Sequence, residues 1–206
     1  MQKVIFIGGP TASGKTKLSI ELAKKIGGEI VSCDSMQIYK DMNIGTAKPT
    51  IEEREGIPHY LIDVVSPEEK YSVAEYKKDA TDAINKILKK DKVPIVIGGT
   101  GLYAEALING ITYTEIDVDM KYRKQLQELA EKEGLEKLYE KALKIDKQAC
   151  EKISRNDLKR ICRILEIYHS TGKTKTELEI ESRKNGPEFD YILFGITMER
   201  EKLYDR

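Results

Sequence analysis

Short apolar runs alternate with stretches of helical period along the first half of the chain. Residues 4–7 (VIFI) and 93–97 (VPIVI) are continuous apolar runs, which are typical of parallel strands buried on both faces. Leu18, Leu22 and Ile26 recur at every fourth position, which predicts a helix. This alternation predicts an α/β fold with a parallel sheet flanked by helices.

Further elements follow the same alternation. Residues 29–33 predict a strand, and residues 60–63 predict another short one. A Thr-x-x-Glu capping box at residues 50–53 predicts the start of a short helix. A Ser-x-x-Glu box at residues 72–75 predicts a longer helix that extends to about Lys90.

The pattern changes over residues 116–187, where charged amphipathic helices replace the β-rich runs. Residues 189–197 then return to β character, which predicts a strand that rejoins the first sheet. The helical block is therefore an insertion. We predict an α/β core over residues 1–115, an all-helical insertion over 116–187, and a return strand with the start of a core helix over 188–206.

Composition narrows the class of protein. The 206 residues are 40% hydrophobic and 34% charged, as in a soluble globular protein, and the net charge of +0 means that any nucleic-acid binding must come from a local patch. Cys33, Cys150 and Cys162 form no C-x-x-C pair, which gives no indication of a zinc site or a disulfide framework and fits a cytoplasmic protein. No apolar run is long enough for a membrane span, and the strand at Val4 leaves no room for a signal peptide, so we expect no membrane association.

The most informative motif follows the first apolar run. It matches the phosphate-binding P-loop pattern G-x-x-x-x-G-K-[ST] in full: Gly9, Pro10, Thr11, Ala12, Ser13, Gly14, Lys15 and Thr16. Such a loop points successive backbone N–H groups at one anion, and the helix that follows adds the positive end of its dipole. Lys15 can reach the outer phosphate oxygens, and the Thr16 hydroxyl can bind Mg²⁺. The fold prediction becomes an α/β, P-loop NTPase-like parallel sheet flanked by helices, with an inserted all-helical subdomain.

Three segments are expected beside this loop. Asp34 follows the strand over residues 29–33, and the carboxyl ends of parallel strands meet at one edge of a sheet. The strand over residues 93–97 ends in glycines and Thr100, where a nucleoside-triphosphate hydrolase usually has its Mg²⁺-binding aspartate, so we expect a reaction other than ordinary ATP hydrolysis. Residues 36–49 form a long loop of a kind that is usually functional.

The helical block contains a cluster of basic residues. At about 100° per residue, Arg155, Lys159, Arg160 and Arg163 share one side of a helix. The other side carries Leu158, Ile161, Ile164, Leu165 and Tyr168. A face with this many cations suits a phosphate backbone, and it is also compatible with an ordinary solvated surface.

Taken in order, these motifs resemble the tRNA dimethylallyltransferases, also called tRNA isopentenyltransferases. The resemblance runs along nearly the whole chain. Besides the P-loop, its most specific parts are residues 34–39 (DSMQIY), 44–49 (IGTAKP), 58–63 (PHYLID), 98–103 (GGTGLY) and 156–163 (NDLKRICR). Each part alone is moderately specific, whereas the ordered set is strongly so.

The resemblance implies transfer of a dimethylallyl group from dimethylallyl diphosphate to N6 of adenosine-37, next to the tRNA anticodon. Diphosphate is released, and no ATP is hydrolysed. The P-loop would bind the diphosphate with Mg²⁺ as cofactor, and Lys15 would neutralise the leaving group. Asp34 would act as general base toward N6, and Thr100 would line the channel in which the two substrates meet.

The tRNA-binding residues implied by the resemblance fall into two sets. Those that hold the base extruded from the anticodon are Asp34, Ser35, Met36, Gln37 and Thr100. Those that contact the anticodon stem-loop are Arg123, Lys159, Arg160, Ile161, Cys162 and Arg163. We expect a cytoplasmic monomer with tRNA and dimethylallyl diphosphate as its partners.

Two features depart from the family pattern. Met36 stands where the usual residue is Arg. The resemblance therefore does not establish a polar contact between position 36 and the base. Family members also continue past the position of Arg206 with a region that closes the tRNA site and is missing here. We therefore expect either a fragment or a shortened variant, and the activity of this chain alone stays open.

Two other functions fit parts of the sequence. A P-loop small-molecule kinase needs the same loop, but it also needs a Walker B acid and an arginine-rich lid, neither of which the sequence contains. A non-enzymatic RNA-binding module would account for the basic face but would leave the intact P-loop without a role.

Overall fold

The first unit of the protein is built on a parallel sheet. The structure, a computed structural model, describes residues 1–113, 119–199, 201 and 203. The strands are β1 (Lys3–Gly8), β2 (Gly28–Cys33), β3 (His59–Tyr60), β4 (Val93–Gly98) and β5 (Asp190–Gly195). Their order is β3-β2-β4-β1-β5, and every neighbouring pair is parallel. This confirms the predicted parallel sheet, including the return strand at the end of the chain.

The register of the central strands brings their carboxyl ends to one edge. Gly98 of β4 pairs with Gly8 of β1 on one side and with Cys33 of β2 on the other. A Cβ at position 98 would lie 2.0 Å from the Cys33 carbonyl oxygen, so only glycine allows this close approach. The segments that follow the three strands therefore begin side by side.

This unit also contains the helices α1 (Lys15–Ile26), α2 (Val73–Leu88) and α3 (Gly101–Ile108). The capping box at Ser72 and Glu75 is formed as predicted, with both reciprocal hydrogen bonds present. Thr50 and Glu53 also exchange both hydrogen bonds, but the residues that follow form turns, so the predicted short helix is wrong. The capping interaction alone is too small to nucleate a helix without an apolar face to bury.

The predicted helix α1 is confirmed, but its buried face does not carry Leu18 or Ile26. Leu18 and Ile26 are 45% and 39% exposed, whereas the helix buries Ser19, Ile20 and Ala23. Small side chains let the helix backbone approach the sheet closely, and Ile20 then packs into the cluster built from β1, β2 and β4. The four-residue spacing identifies the helix correctly, but these positions do not mark the side of the helix that packs on the sheet.

The second unit is all-helical and spans Thr112–Asn185, and the first comprises Met1–Ile111 and Gly186–Arg206. Its helices are α4 (Met120–Glu133), α5 (Leu135–Ile145), α6 (Lys147–Glu151), α7 (Leu158–Thr171) and α8 (Lys175–Ser182). It has its own hydrophobic core, in which Leu138, Ile161 and Ile164 are almost completely buried. The predicted boundary at residues 115 and 116 lies outside the described residues, as does most of the predicted last helix. None of the helices in the described part of the chain is long and apolar enough to cross a membrane.

Candidate active site

The loop between β1 and α1 has the backbone of an anion-binding turn. Gly9 has φ 158°, and a Cβ there would lie 2.7 Å from the Ile196 carbonyl oxygen. Gly14, the N-cap of α1, has φ 88°, in the left-handed region that glycine tolerates best. The loop therefore ends where the N-terminal N–H groups of α1 are available to a ligand.

Two side chains of this loop are placed for a phosphate group. Ser13 is 6% exposed, and its Oγ has no hydrogen-bond partner among the described residues. The Lys15 Nζ donates to the Pro10 carbonyl oxygen at 2.6 Å. Burial lowers the pKa of Lys15, and the nearby Asp34 carboxylate partly offsets this effect. A buried hydroxyl without a partner and a desolvated ammonium both gain hydrogen bonds or charge pairing when an anion binds.

Asp34 lies directly after β2 at the same edge. Its Oδ1 accepts hydrogen bonds from the backbone N–H of Met36 at 2.9 Å and of Gln37 at 3.2 Å. No hydrogen bond from a described residue ends on Oδ2. One carboxylate oxygen thus fixes the turn, and the other is available to a substrate.

Thr100 links the ends of β4 and β2. Its Oγ1 accepts from the Ser35 backbone N–H at 3.0 Å and donates to the Ser35 Oγ at 3.3 Å. The Thr100 N–H donates to the Cys33 carbonyl oxygen at 3.3 Å. Thr100 therefore holds the residue next to Asp34, a positioning role that the sequence did not indicate.

Gln37 uses its amide group to hold the long loop. Its Nε2 donates to the carbonyl oxygens of Thr46 at 3.1 Å and Ala47 at 3.3 Å, and its Oε1 accepts from the Ser32 hydroxyl at 3.5 Å. The resemblance implied contact between Gln37 and the extruded base. In this structure the Gln37 amide braces residues 46 and 47, and its contact with the base stays a prediction.

Lys48 is a second brace of the same loop, and sequence reasoning missed it. Its side chain is 3% exposed, and its ammonium pairs with the Asp63 carboxylate and donates to the Tyr39 carbonyl oxygen at 2.7 Å. A buried lysine in a loop of polar sequence has no periodic pattern that would reveal it. The loop over residues 36–49 is thus held at both ends.

These segments surround one cavity of about 1180 Å³. Its lining includes the whole P-loop together with Asp34, Gln37 and Thr100. Met36 and Ile44 also line it, and they are 45% and 98% exposed, which gives the cavity an apolar rim. The volume is much larger than one diphosphate requires, so a second reactant can occupy the same space.

His59 lies on the wall of the same cavity. Its Nδ1 lies 2.8 Å from the Ile57 carbonyl oxygen, so this nitrogen carries the proton of the neutral ring. Burial lowers the pKa of His59, and its Nε2 has no partner among the described residues. Nothing in its contacts with the described residues gives His59 a chemical role.

The predicted basic face is only partly formed. Lys159 and Arg160 lie exposed on the first turn of α7, and Arg160 pairs with the N-cap residue Asp157 at 3.3 Å. Arg155 lies before the helix begins, so its placement on the helical face was wrong. It pairs instead with Glu136 at 3.2 Å.

Two residues that were predicted to bind RNA are corrected. Ile161 and Cys162 are 0% and 5% exposed and pack in the core of the helical unit, so their side chains have no surface to offer to RNA. Tyr168, predicted on the buried side, is 43% exposed. The burial arises because α7 packs against both α4 and α5 and therefore has a wider buried face than a surface helix.

Arg123 lies on α4, where it binds a buried partner. Its Nε and Nη2 donate to the Glu166 carboxylate at 2.6 and 2.9 Å. Arg163 of α7 approaches the same carboxylate, with Nη1 at 3.8 Å from Oε2. These two predicted RNA-binding residues therefore meet at one acid.

Fold and site together define a P-loop-like α/β protein with a carboxylate beside the loop and an inserted helical unit. The family model for IPP transferases matches residues 37–206. The chain belongs to the IPP transferase family.

Curated relatives align with this chain over its whole length. A tRNA dimethylallyltransferase of Acetivibrio thermocellus is 54% identical over 100% of this chain and 66% of that protein. One from Bacillus cytotoxicus is 48% identical over 100% of this chain and 65% of that protein. The chain thus spans just under two thirds of the length of these curated relatives.

Solved structures of tRNA-modifying transferases also align with this chain over its whole length. The full-length tRNA isopentenylpyrophosphate transferase from Bacillus halodurans has a TM-score of 0.64 and 41% identity, covering 100% of this chain and 63% of that chain. A eukaryotic dimethylallyltransferase acting on tRNA has a TM-score of 0.79 and 36% identity, covering 100% of this chain and 51% of that chain. These matches favour a transferase over the small-molecule kinase.

Proposed function

We propose that this protein transfers a dimethylallyl group from dimethylallyl diphosphate to N6 of adenosine-37 in tRNA and releases diphosphate. The observation that carries the proposal is the shared cavity: the P-loop and the Asp34 carboxylate line the same space. A leaving diphosphate and an incoming amine need such an arrangement, with cationic and N–H donors at one end and a proton acceptor at the other. Membership of the IPP transferase family supports this reaction.

The P-loop is the proposed diphosphate site. The loop N–H groups, the unpartnered Ser13 hydroxyl and the Lys15 ammonium supply donors for the diphosphate oxygens as the allylic C–O bond breaks. Thr16 lies beside them in the first turn of α1. Its hydroxyl is the protein group that would hold Mg²⁺, with phosphate oxygens and water as the remaining ligands. When bound, Mg²⁺ supplies further neutralisation of the negative charge on the leaving group.

Asp34 is the proposed base. The adenine N6 lone pair is delocalised into the ring, so the amine must lose a proton as it reacts. In the transfer, the C–O bond to the diphosphate breaks, a bond forms between N6 and the allylic carbon, and Asp34 takes the N6 proton while diphosphate leaves with the bonding electrons. Because Oδ1 is held by two backbone N–H groups, Oδ2 is the oxygen placed to accept this proton.

The remaining contacts form the acceptor site. The base must leave the anticodon stack to enter the cavity, as in other base-modifying enzymes. We propose that Ser35 and Met36 at the cavity wall contact this base, and that Gln37 and Thr100 position the wall through the hydrogen bonds described above. Met36 offers an apolar surface here, which suits stacking on a base better than a hydrogen bond.

The helical unit is the proposed site for the anticodon stem-loop. Lys159, Arg160, Arg163 and Arg123 provide cations for the RNA backbone. We propose that the protein acts as a cytoplasmic monomer, since its substrates meet in that compartment and the site is built from one chain.

The reaction is tested with labelled dimethylallyl diphosphate, Mg²⁺ and unmodified tRNA, without ATP. We expect label in the RNA when adenosine stands at position 37, and none when guanosine replaces it, because guanosine has no N6 amine. Label in neither RNA, together with ATP consumption in a separate assay that contains ATP and a small acceptor, would instead support the kinase. The relatives are longer than this chain, so the same assay with a full-length relative serves as the positive control.

A further inference from the structure

A buried carboxylate joins two arginines from different helices of the helical unit. Glu166 of α7 is 2% exposed. Arg123 of α4 donates to it through Nε and Nη2 at 2.6 and 2.9 Å, and Arg163 places Nη1 3.8 Å from Oε2. The two arginine side chains are 38% and 39% exposed, so each guanidinium has one side on the acid and another toward solvent.

The start of α4 is fixed against α7 by further contacts next to this pair. Tyr122 stacks on His169 with ring centroids 3.9 Å apart. The Asp119 carboxylate, which caps α4, lies 3.5 Å from the His169 Nε2. Because these contacts hold the start of α4 against α7 next to Arg123, its guanidinium loses little further conformational freedom when it binds another group.

The charge of the cluster is unbalanced. Two guanidinium groups face one carboxylate, so the cluster carries an excess positive charge at a partly exposed position. Arginine has five N–H donors, and the fork of Arg123 uses Nε and Nη2, which leaves further N–H groups for an acceptor. Planar guanidinium groups bind phosphate oxygens with defined geometry, more so when they are preoriented.

We propose that Arg123 and Arg163 together form a single binding site for one phosphodiester group of the RNA backbone, and that Glu166 is the positioning residue that makes them one site. The inference rests on the proposed function, since it assigns the RNA that the helical unit would bind. It adds a residue that itself makes no contact with RNA and carries the wrong charge for doing so.

The direction in which Glu166→Gln changes the affinity for RNA tests this proposal. Glu166→Gln removes a negative charge near the proposed RNA site, so electrostatics alone predicts equal or tighter binding. If Glu166 positions the arginines, binding of an anticodon stem-loop RNA by the full chain falls about tenfold, as for loss of a charge-assisted contact. The dependence of log K on log salt should also become shallower by about one unit, the amount for one lost phosphate contact.

Glu136→Gln is the matched control. Glu136 lies in the same unit and pairs with Arg155, but it is 62% exposed and pairs with no second arginine among the described residues. Its replacement makes the same charge change, and we expect unchanged or slightly tighter RNA binding. Arg123→Lys is the second variant, because it keeps the charge and the exposed position but loses the two-pronged contact with Glu166. It should bind the RNA severalfold more weakly than the unchanged chain.

The outcomes separate this inference from the proposed reaction. Equal or tighter RNA binding by Glu166→Gln would overturn the inference, whatever the effect of Arg123→Lys. Weaker binding with a shallower salt dependence, but no prenyl transfer by the unchanged chain, would support the inference while overturning the reaction. No binding of the stem-loop by the unchanged chain would overturn both the inference and the RNA-binding part of the proposed function.

Discussion

Single hydrogen bonds decide where the Asp34 carboxylate points. Two backbone N–H groups hold Oδ1, and Thr100 holds the neighbouring Ser35 through its backbone N–H and its hydroxyl. The bonds to Oδ1 lie within the segment that follows β2, whereas the bonds between Thr100 and Ser35 join the segments that follow β4 and β2. The orientation of the proposed base thus depends on groups that cannot themselves take part in proton transfer.

Thr100→Val tests this dependence. Valine has the shape of threonine without the hydroxyl, so the Ser35 N–H loses its acceptor in a partly buried position. We expect a loss of about 1–3 kcal/mol in the free energy of unfolding, measured with urea, and a fall in the transfer rate. Thr100→Ser keeps the hydroxyl and serves as control. Equal rates for the valine and serine variants would show that this hydrogen bond does not position Asp34.

At the scale of elements, the sequence indicated where strands lie better than it indicated which side of a helix is buried. The apolar runs predicted β1 and β4, because a strand buried on both faces needs no period to be recognised. The strand β5 was predicted from its β character, although most of its residues are exposed. In α1 the small residues Ser19 and Ala23 face the sheet, because their close approach outweighs the burial of the larger Leu18 and Ile26. Hydrophobicity alone does not encode that preference for small residues.

The interactions that complete the site were not predictable from the sequence. The P-loop and Asp34 lie at strand ends, where pattern and topology indicated them. The contacts of Lys48 with Asp63 and of Arg123 with Glu166 join residues far apart in the chain, and no local pattern specifies such pairs. Ile161 and Cys162 lie within a motif that looks functional, and only the packing of α7 shows that they are core residues.

The loop over residues 36–49 yields a prediction at this scale. Lys48→Met keeps the length of the buried side chain but removes the ammonium that binds Asp63 and the Tyr39 carbonyl oxygen. We expect faster hydrogen exchange at the amides of residues 42–47 and a weaker apparent affinity for the acceptor RNA. Lys40→Met, in the same loop but exposed, should leave both unchanged. If the two variants behave alike, Lys48 does not brace the loop.

The network of Glu29, Tyr60 and Lys90 gives a prediction for pH. Burial alone would raise the pKa of Glu29, but hydrogen bonds from Tyr60 at 2.7 Å and Lys90 at 3.0 Å more than offset it, so the pKa lies below its ordinary value of 4.5. A carboxyl group with a lower pKa in the folded state stabilises the fold above the unfolded value, and this contribution is lost as the pH falls through the folded pKa.

Glu29→Gln should therefore reduce the free energy of unfolding by about 1 kcal/mol at neutral pH and by progressively less under acidic conditions. Urea titrations of both proteins across this pH range measure the difference. A gap between the two proteins that stays constant down to the lowest pH would contradict the assigned ionic contribution. Glu21→Gln, on α1, controls for the loss of one surface carboxylate.

At the scale of the whole molecule, a balanced net charge hides a local one. The chain carries 35 basic and 35 acidic residues, so its overall field gives no preference for RNA. The proposed RNA contacts therefore depend on particular side chains, above all those on the first turn of α7. Asp157 opposes one of them, because it caps the helix and pairs with Arg160.

Replacement of Lys159 and Arg160 by alanine tests the α7 surface. If both side chains contact RNA phosphates, tRNA binding weakens similarly for all tRNA sequences, and the salt dependence becomes shallower by about one unit per lost contact. Filter binding at several salt concentrations measures this. Lys121 and Lys124 on α4, changed together to alanine, provide a control of equal charge. If the two double variants weaken tRNA binding equally, the α7 surface contributes to binding only through its general positive charge.

The central claim is that the P-loop and Asp34 act on two substrates in one cavity, and Asp34→Asn tests it most directly. Asparagine keeps an Oδ1 that can accept from Met36 and Gln37, so the turn stays intact while the proton acceptor is lost. Single-turnover transfer should fall about 10²–10⁴-fold, with the affinity for dimethylallyl diphosphate unchanged. Normal transfer by Asp34→Asn would contradict the claim, and so would loss of diphosphate binding in step with loss of rate.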